Sequence, residues 1–574
     1  AANNVAIGHE ALKANTTGYD NTAVGALALD SNTTGSLNTA FGKSALQSNT
    51  TANTNNAFGR RALYTNTTGS DNTAIGYLAL YLNTTASYNT AVGNSSLQSN
   101  TTGAKNTAVG FGAMNVNTTG YDNVAVGRNA LDANTTGHSH VALGESALGG
   151  NTTGIRNVAV GQNCLAVNTT GVENTAVGQN SMNDNTTGGY NTAVGQNSLG
   201  INTTGTQNVA IGINALLSNT TASNNTAVGK SSLQNNTTGG DNVAVGSGAG
   251  DAITTGNDNT AIGRDALSVM TTQNGNTAVG RGAGFNAATS GLTYIGYQAG
   301  YNTSTGYDNT AVGTNALFTN TTGNENVAIG YRALIANTTA CDNTAVGNGA
   351  LDSATTGGNN TGIGRNTLGG VTTGTQNVGL GSAAGDTITT GTGNICIGHG
   401  ATTATSDRVY SITMGRDVAS VGNYYFTFGV DASDHRVYNN FTSNASWTRA
   451  SDERIKKDIS TNTDCGLNFI NDLRTVTYKF KAPSELDSSM TGYDPSKTEP
   501  IHKEKMYGFV AQEVKAAMDT HNITDFAGHH QIEDGADNMQ GISYEMFVMP
   551  LVKALQEADA KIESLTARIE TLEG

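Results

Sequence analysis

The stretch Asn21-Thr22-Ala23-Val24-Gly25-Ala26-Leu27-Ala28-Leu29-Asp30-Ser31-Asn32-Thr33-Thr34-Gly35-Ser36-Leu37 decides the fold, because Asn38-Thr39-Ala40-Phe41-Gly42 begins it again. The glycine closing this block recurs from Gly8 through Gly25 and Gly42 in steps of 17 to Gly280. It slips by 16 to Gly296 and resumes 17 through Gly415, giving 25 registers. A fixed period of this kind marks stacked repeats, in which one unit cannot bury a core alone but neighbours together can. Each unit offers two apolar bursts, such as Val24 and Leu29, separated by the Gly, Asn and Thr that corners use. The period predicts coils of two strands of about five residues with two tight corners, each coil pairing in parallel with the next. At about 4.8 Å per coil, the 25 registers make a rod of roughly 120 Å. Helix is the losing alternative, since a period of 17 keeps no single helical face and Gly, Asn and Thr are poor helix formers.

Residue choice within the repeat has physical reasons. A corner repeated in every coil suits glycine, which takes positive φ freely. The small Ala between two β-branched residues is expected against a crowded surface, that of a neighbouring chain. All four prolines (Pro483, Pro495, Pro500, Pro550) fall after residue 450, as expected where interior rungs cannot lose an N–H donor.

Charge divides at the same place: 38 Asp, Glu, Lys and Arg lie in residues 1–450 and 35 in the remaining 124. Net charge is −15, which argues against non-specific binding to nucleic acid or an anionic membrane surface. No apolar run reaches the ~18 residues that would insert into a bilayer, and no secretory leader pattern opens the chain. The chain begins Ala1-Ala2-Asn3 in mid-motif without Met, so an attachment region is expected upstream. Cys164, Cys341, Cys396 and Cys465 are too sparse for a disulfide framework and read as reduced or buried thiols.

The Asn-Thr/Val-Ala-Val/Ile-Gly block, over residues 3–415, resembles the head repeats of trimeric autotransporter adhesins, which implies a trimeric parallel β-roll. The family's repeats are usually shorter, and the Asn-Thr-Thr corner is extra here. No membrane-anchor barrel pattern follows, so an autotransporter is not the reading. Sixteen Asn-Thr-Thr triplets, beginning at Asn15 and Asn32, match a glycosylation sequon. Asn and Thr stacked along the rod is the better account of them. One repeat departs from the consensus with His138-Ser139-His140. On a threefold axis these imidazoles would suit a transition metal, with two corner histidines as the plainer alternative. No other cofactor is expected.

After Gly415 the register breaks into an aromatic run, Tyr424, Tyr425, Phe426 and Phe428, read as a last widened strand or cap, and then a polar junction with Trp447. Next come Ser451-Asp452-Glu453-Arg454-Ile455-Lys456-Lys457, Gly466-Leu467 to Tyr478-Lys479-Phe480, Tyr507-Gly508-Phe509-Val510-Ala511-Gln512-Glu513 and Ile542-Ser543-Tyr544. This ordered set, over about residues 451–574, resembles the intramolecular chaperone domain of endosialidase tailspikes and phage fibres, shared with myelin regulatory factor. The resemblance implies trimerisation followed by self-cleavage at Ala450–Ser451, with Ser451 as nucleophile and Lys456 as base. Asp452, Arg454, Gly508, Gln512 and Glu513 are then supporting positions. Lysine serves as a base only as the free amine, so its pKa must fall from about 10.4 to roughly 7–8. Residues five apart share no face of helix or strand, so tertiary structure or a neighbouring subunit must bring Ser451 and Lys456 together. His502, His521, His529 and His530 lack a second pair at zinc spacing and read as surface residues. Leu551, Leu555, Ala558, Ile562, Leu565, Ile569 and Leu572 alternate steps of four and three, a coiled-coil seam of about three heptads.

The expected architecture is mainly β. A trimeric parallel β-roll or solenoid spans residues 1–415, a cap or junction 416–450, a small α+β chaperone domain 451–545 and a coiled coil 546–574. The expected function is a homotrimeric phage-type tail fibre or spike subunit on a virion, made in the host cytoplasm. It would join the tail or baseplate through its upstream region and bind a host glycan or outer-surface protein. Its enzymatic activity would be a single self-cleavage by a Ser–Lys dyad. The alternative is a cellular surface adhesin or filament using the same chaperone. An enzyme acting on host glycan is disfavoured, because the repeat leaves little room for a catalytic domain.

Overall fold

A computed structural model describes residues 2–431, 435–442, 448–449, 453, 456–488, 490, 493–500, 504–531 and 540–574. Two compact units divide the chain, residues 1–450 and 451–574.

The first unit is a β-solenoid. Twenty-five three-residue strands run from Val5–Ile7 to Ile412–Met414. Each pairs in parallel with the strand one coil on, as Thr22↔Thr39, Ala23↔Ala40 and Val24↔Phe41 do. The 16-residue step keeps this register by pairing Ala278 with Tyr294, whose ring fills the coil interior in place of a methyl group. The solenoid ends on the wider strand Tyr425–Gly429. This strand is parallel to Ile412–Met414 and antiparallel to Arg436–Asn440.

Two expectations are corrected. Each coil holds one short strand, not two of five residues; the second burst pairs as strands only at Thr402–Thr403 with Ala419–Ser420. The reason lies in the backbone of that burst. Leu27 and Leu29 sit at φ 63° and 51°, and equivalent residues follow in most later coils, so the segment cannot extend. The left-handed conformation costs roughly 1–2 kcal/mol per residue. It is offset by complete burial of Leu29 and its equivalents, and the amides still bond to the next coil, Leu29 N–H donating to Ala45 O at 3.0 Å. Secondly, the strand Ala faces the interior of its own coil. Ala23, Ala40 and Ala57 are fully buried against the Leu column within a single chain. The corner glycine is held by both conformation and space: Gly42 has φ +139°, and a Cβ there would meet Gly59 O at 2.6 Å.

The Asn-Thr-Thr corners form ladders along the stack. Asn32 donates its Nδ2 to Asn15 Oδ1 at 2.8 Å and to Gly35 O at 2.9 Å. A second ladder runs through the strand-leading asparagines: Asn38 N–H donates to Asn21 Oδ1 at 3.0 Å, and Asn21 Nδ2 donates to the same Gly35 carbonyl at 2.9 Å. Buried amides thus satisfy one another and the corner backbone, as desolvated polar groups must. The nitrogen a glycan would occupy is already spent in these bonds.

The second unit is a small α+β fold. Helix α1 (Leu467–Asn471) precedes the strand Val476–Tyr478, which pairs antiparallel with Met506–Gly508. Helix α2 (Ala511–Thr520) leads to a second antiparallel pair, His529–Gln531 with Gln540–Ile542. Helix α3 (Val548–Glu573) closes the chain. Cys465, Phe469, Val514, Ala517, Met518, Ile523 and Phe547 form its core. Among the described residues, no helix is long and apolar enough to cross a membrane.

Candidate functional site

The separated sequence blocks of the second unit converge. Strand pairing sets Val476 against Gly508 and Tyr478 against Met506. Phe509 stacks on Tyr544 with ring centroids 5.8 Å apart, and its N–H donates to the Tyr544 hydroxyl at 3.0 Å. Gly508 is required by this approach, since a Cβ on it would come within 2.1 Å of that hydroxyl. Glu513, on the first turn of α2, pairs through both carboxylate oxygens with Arg474, whose Nε donates at 3.0 Å. The guanidinium holds the Glu513 carboxyl below its ordinary range. Arg474 is a partner the sequence reading missed, 39 residues away with no local signal. Gln512 is exposed beside it.

Around the expected scissile bond, Ala450, Ser451, Asp452 and Arg454 lie outside the described residues, as do Trp447 and His502. Lys456 is described and exposed, and its backbone N–H donates to Glu453 O at 3.1 Å.

His138 is partly exposed on the outside of its coil, and His140 lies within it. His138 stacks on Tyr121 with centroids 4.6 Å apart. His140 is buried and takes an asparagine's place in the second ladder: its Nδ1 accepts from Asn157 N–H at 3.2 Å and its Nε2 lies 2.7 Å from Gly154 O. Both ring nitrogens are engaged inside the coil, so the neutral Nε2–H tautomer fits, and burial lowers the His140 pKa to about 4. His521 meets Asp472 at 2.6 Å and His529 meets Gln540 at 3.1 Å. Among the described residues, no three His, Cys, Asp or Glu side chains gather as a metal cluster. All four cysteines are free thiols, with burial pushing Cys164 and Cys396 up to about 12.

Residues 451–523 match the family model described as chaperone of endosialidase, peptidase S74. The match opens at Ser451, the residue at which the second compact unit begins. No curated protein matches the chain. Behind a β-solenoid of 17-residue repeats, the chain therefore carries a segment that matches the chaperone-of-endosialidase family model.

Proposed function

We propose that the protein is one subunit of a homotrimeric phage-type tail fibre or spike, whose C-terminal domain drives trimerisation and then severs itself between Ala450 and Ser451. The observation that carries this reading is the coincidence of the family match, the unit boundary and the serine of the charged run at a single residue.

The chemistry follows from that placement. The Ser451 hydroxyl attacks the Ala450 carbonyl while Lys456, as the free amine, takes the hydroxyl proton. The C–N bond breaks, the Ser451 nitrogen leaves as an amine with a returned proton, and an ester to the Ser451 oxygen remains. Water hydrolyses the ester, leaving a carboxylate on Ala450. The nucleophile departs on the released fragment, so the enzyme turns over once.

Two apolar surfaces support assembly. Opposite faces of the strand divide the work: Ala fills the coil, while the third strand residue points outward. Ile7, Val24, Phe41, Phe58 and Ile75 begin a column continued coil by coil to Met414 and Phe428. Phe41 is 55% exposed and Leu380 45% exposed. The column recurs coil after coil, whereas an apolar patch on a monomer usually covers only a few hundred Å². On α3, Leu555, Ile562, Leu565, Ile569 and Leu572 are exposed along the heptad seam. Two further copies of the chain would cover both, and the resulting fibre would contact a host glycan or outer-surface protein.

The test is a gel of the full chain beside Ser451→Ala. Wild type should release residues 451–574 and the variant should stay whole; wild type that stays whole removes the cleavage reading. Sedimentation of an elongated trimer, against a monomer, tests the assembly, and binding of the released fibre to host cells tests attachment.

A further inference from the structure

Helix α3 has two unlike halves. Pro550 and Ala554 are buried on its inner face, and Glu557 and Ala558 are partly covered; from Asp559 to the end every residue is exposed. Glu557 therefore stands where the docked half meets the free half. Its Oε2 accepts the backbone N–H of Leu467 at 2.7 Å, the first residue of α1 and 90 positions earlier in the chain. Helix α1 has no side chain of its own on that amide, because the preceding residue is Gly466. A Cβ on Gly466 would lie 2.4 Å from the Glu557 carboxylate, so the glycine leaves the space the acid enters. Lys553, one turn back, holds the acid from its own helix at 3.4 Å.

The chain order gives this contact a consequence. The segment bearing Lys456 runs straight into Gly466, so the point where that segment ends is fixed by a residue of α3. In the heptad with Ile562 at position a, Glu557 falls at c, off the seam, and remains on α1 when the seam is covered.

We propose that Glu557 is a positioning residue that ties self-cleavage to helix assembly. Association along the exposed half of α3 orders the helix, the carboxylate then holds the Leu467 amide, and the lysine-bearing segment is anchored at its C-terminal end. This rests on the self-cleavage reading given above.

The test uses the full chain with Glu557→Leu, Glu557→Gln and Gly466→Ala, following both the trimer fraction by sedimentation and the release of residues 451–574 over time. Glutamine keeps an oxygen for the Leu467 N–H, and leucine does not. The trimeric Leu variant should cleave at least about tenfold more slowly than wild type and the Gln variant within about threefold, since small misplacements at a reacting centre have effects of that size. The Gly466→Ala trimer, with the sequence of α3 unchanged, should also be slow. Wild-type rates from trimeric Glu557→Leu or Gly466→Ala would overturn the proposal, as would loss of the trimer in both, which would make the contact a purely structural one. A wild-type chain that never cleaves, beside equally whole variants, would overturn both this and the reading it rests on.

Discussion

The solenoid and the C-terminal unit hold themselves together in opposite ways. In the solenoid most bonds join one coil to the next: the Asn32–Asn15 amide ladder, the Thr33 hydroxyl on Thr50 O and the Leu29 amide on Ala45 O each recur coil after coil. Each coil depends on two neighbours, and stability accumulates as a sum of similar terms. The C-terminal unit rests on single contacts over long separations: Leu467 with Glu557, Arg474 with Glu513, Phe509 with Tyr544, His521 with Asp472. None is repeated, so none can be replaced by its neighbour. Redundancy makes the first unit tolerant but slow to find register, since a coil can stack one repeat out of place at small cost. Singularity makes the second unit fragile but unambiguous, which suits the assembly role proposed for it.

The largest effect should follow from Gly508→Val, which drives a side chain into the Tyr544 hydroxyl; loss of the folded domain, of the trimer and of cleavage together is expected by circular dichroism, sedimentation and gel. The matching change in the solenoid, Gly93→Val at φ +139° with a Cβ 2.3 Å from Gly110 O, should cost several kcal/mol locally. Hydrogen exchange should confine its damage to the adjoining coils, and loss of protection along the whole solenoid would break the contrast.

Acid should act next, and at one coil. The His140 pKa is depressed to about 4 by burial, below the ordinary value of 6.5, so its contribution is full above pH 6.5 and is lost as pH falls toward 4. Against His140→Asn, which restores the ladder residue, wild type should lose on the order of 3 kcal/mol of local stability at pH 4. Equal pH dependence of exchange in the two proteins would dismiss the effect. Asn100→Ala, which strands Asn83 Oδ1 and Gly103 O, should cost about 1–3 kcal/mol in the melting of its segment. The smallest effect is expected from removing residues 94–110, one whole register. The next strand takes the vacated place, and melting should move little; a collapse would refute the additive picture.

Most of the solenoid was legible in the sequence. Period, parallel register, the asparagine stacking and the widened aromatic strand Tyr425–Gly429 all follow from composition repeated at fixed spacing. The direction of the strand Ala was not legible. A small residue between larger ones fits a tight interior and a tight interface equally well, and only closure of the coil on its own Leu column separates the two. The positive φ of Leu27 and Leu29 was equally hidden, because nothing in leucine announces a left-handed backbone; the surrounding hydrogen bonds impose it. In the second unit the motif blocks were visible in order, but Arg474 and Glu557 carried no local signal.

The sequence by itself determined that seventeen residues make one coil, that coils stack in parallel, and that a charged serine–lysine run opens a different domain, because periodicity and composition are local properties of a chain. Tertiary structure alone decided which face of each strand fills the coil, which ring nitrogens of His140 are engaged, and which acid reaches the Leu467 amide. Those depend on how distant backbone segments enclose space, and enclosure is not encoded at any one position.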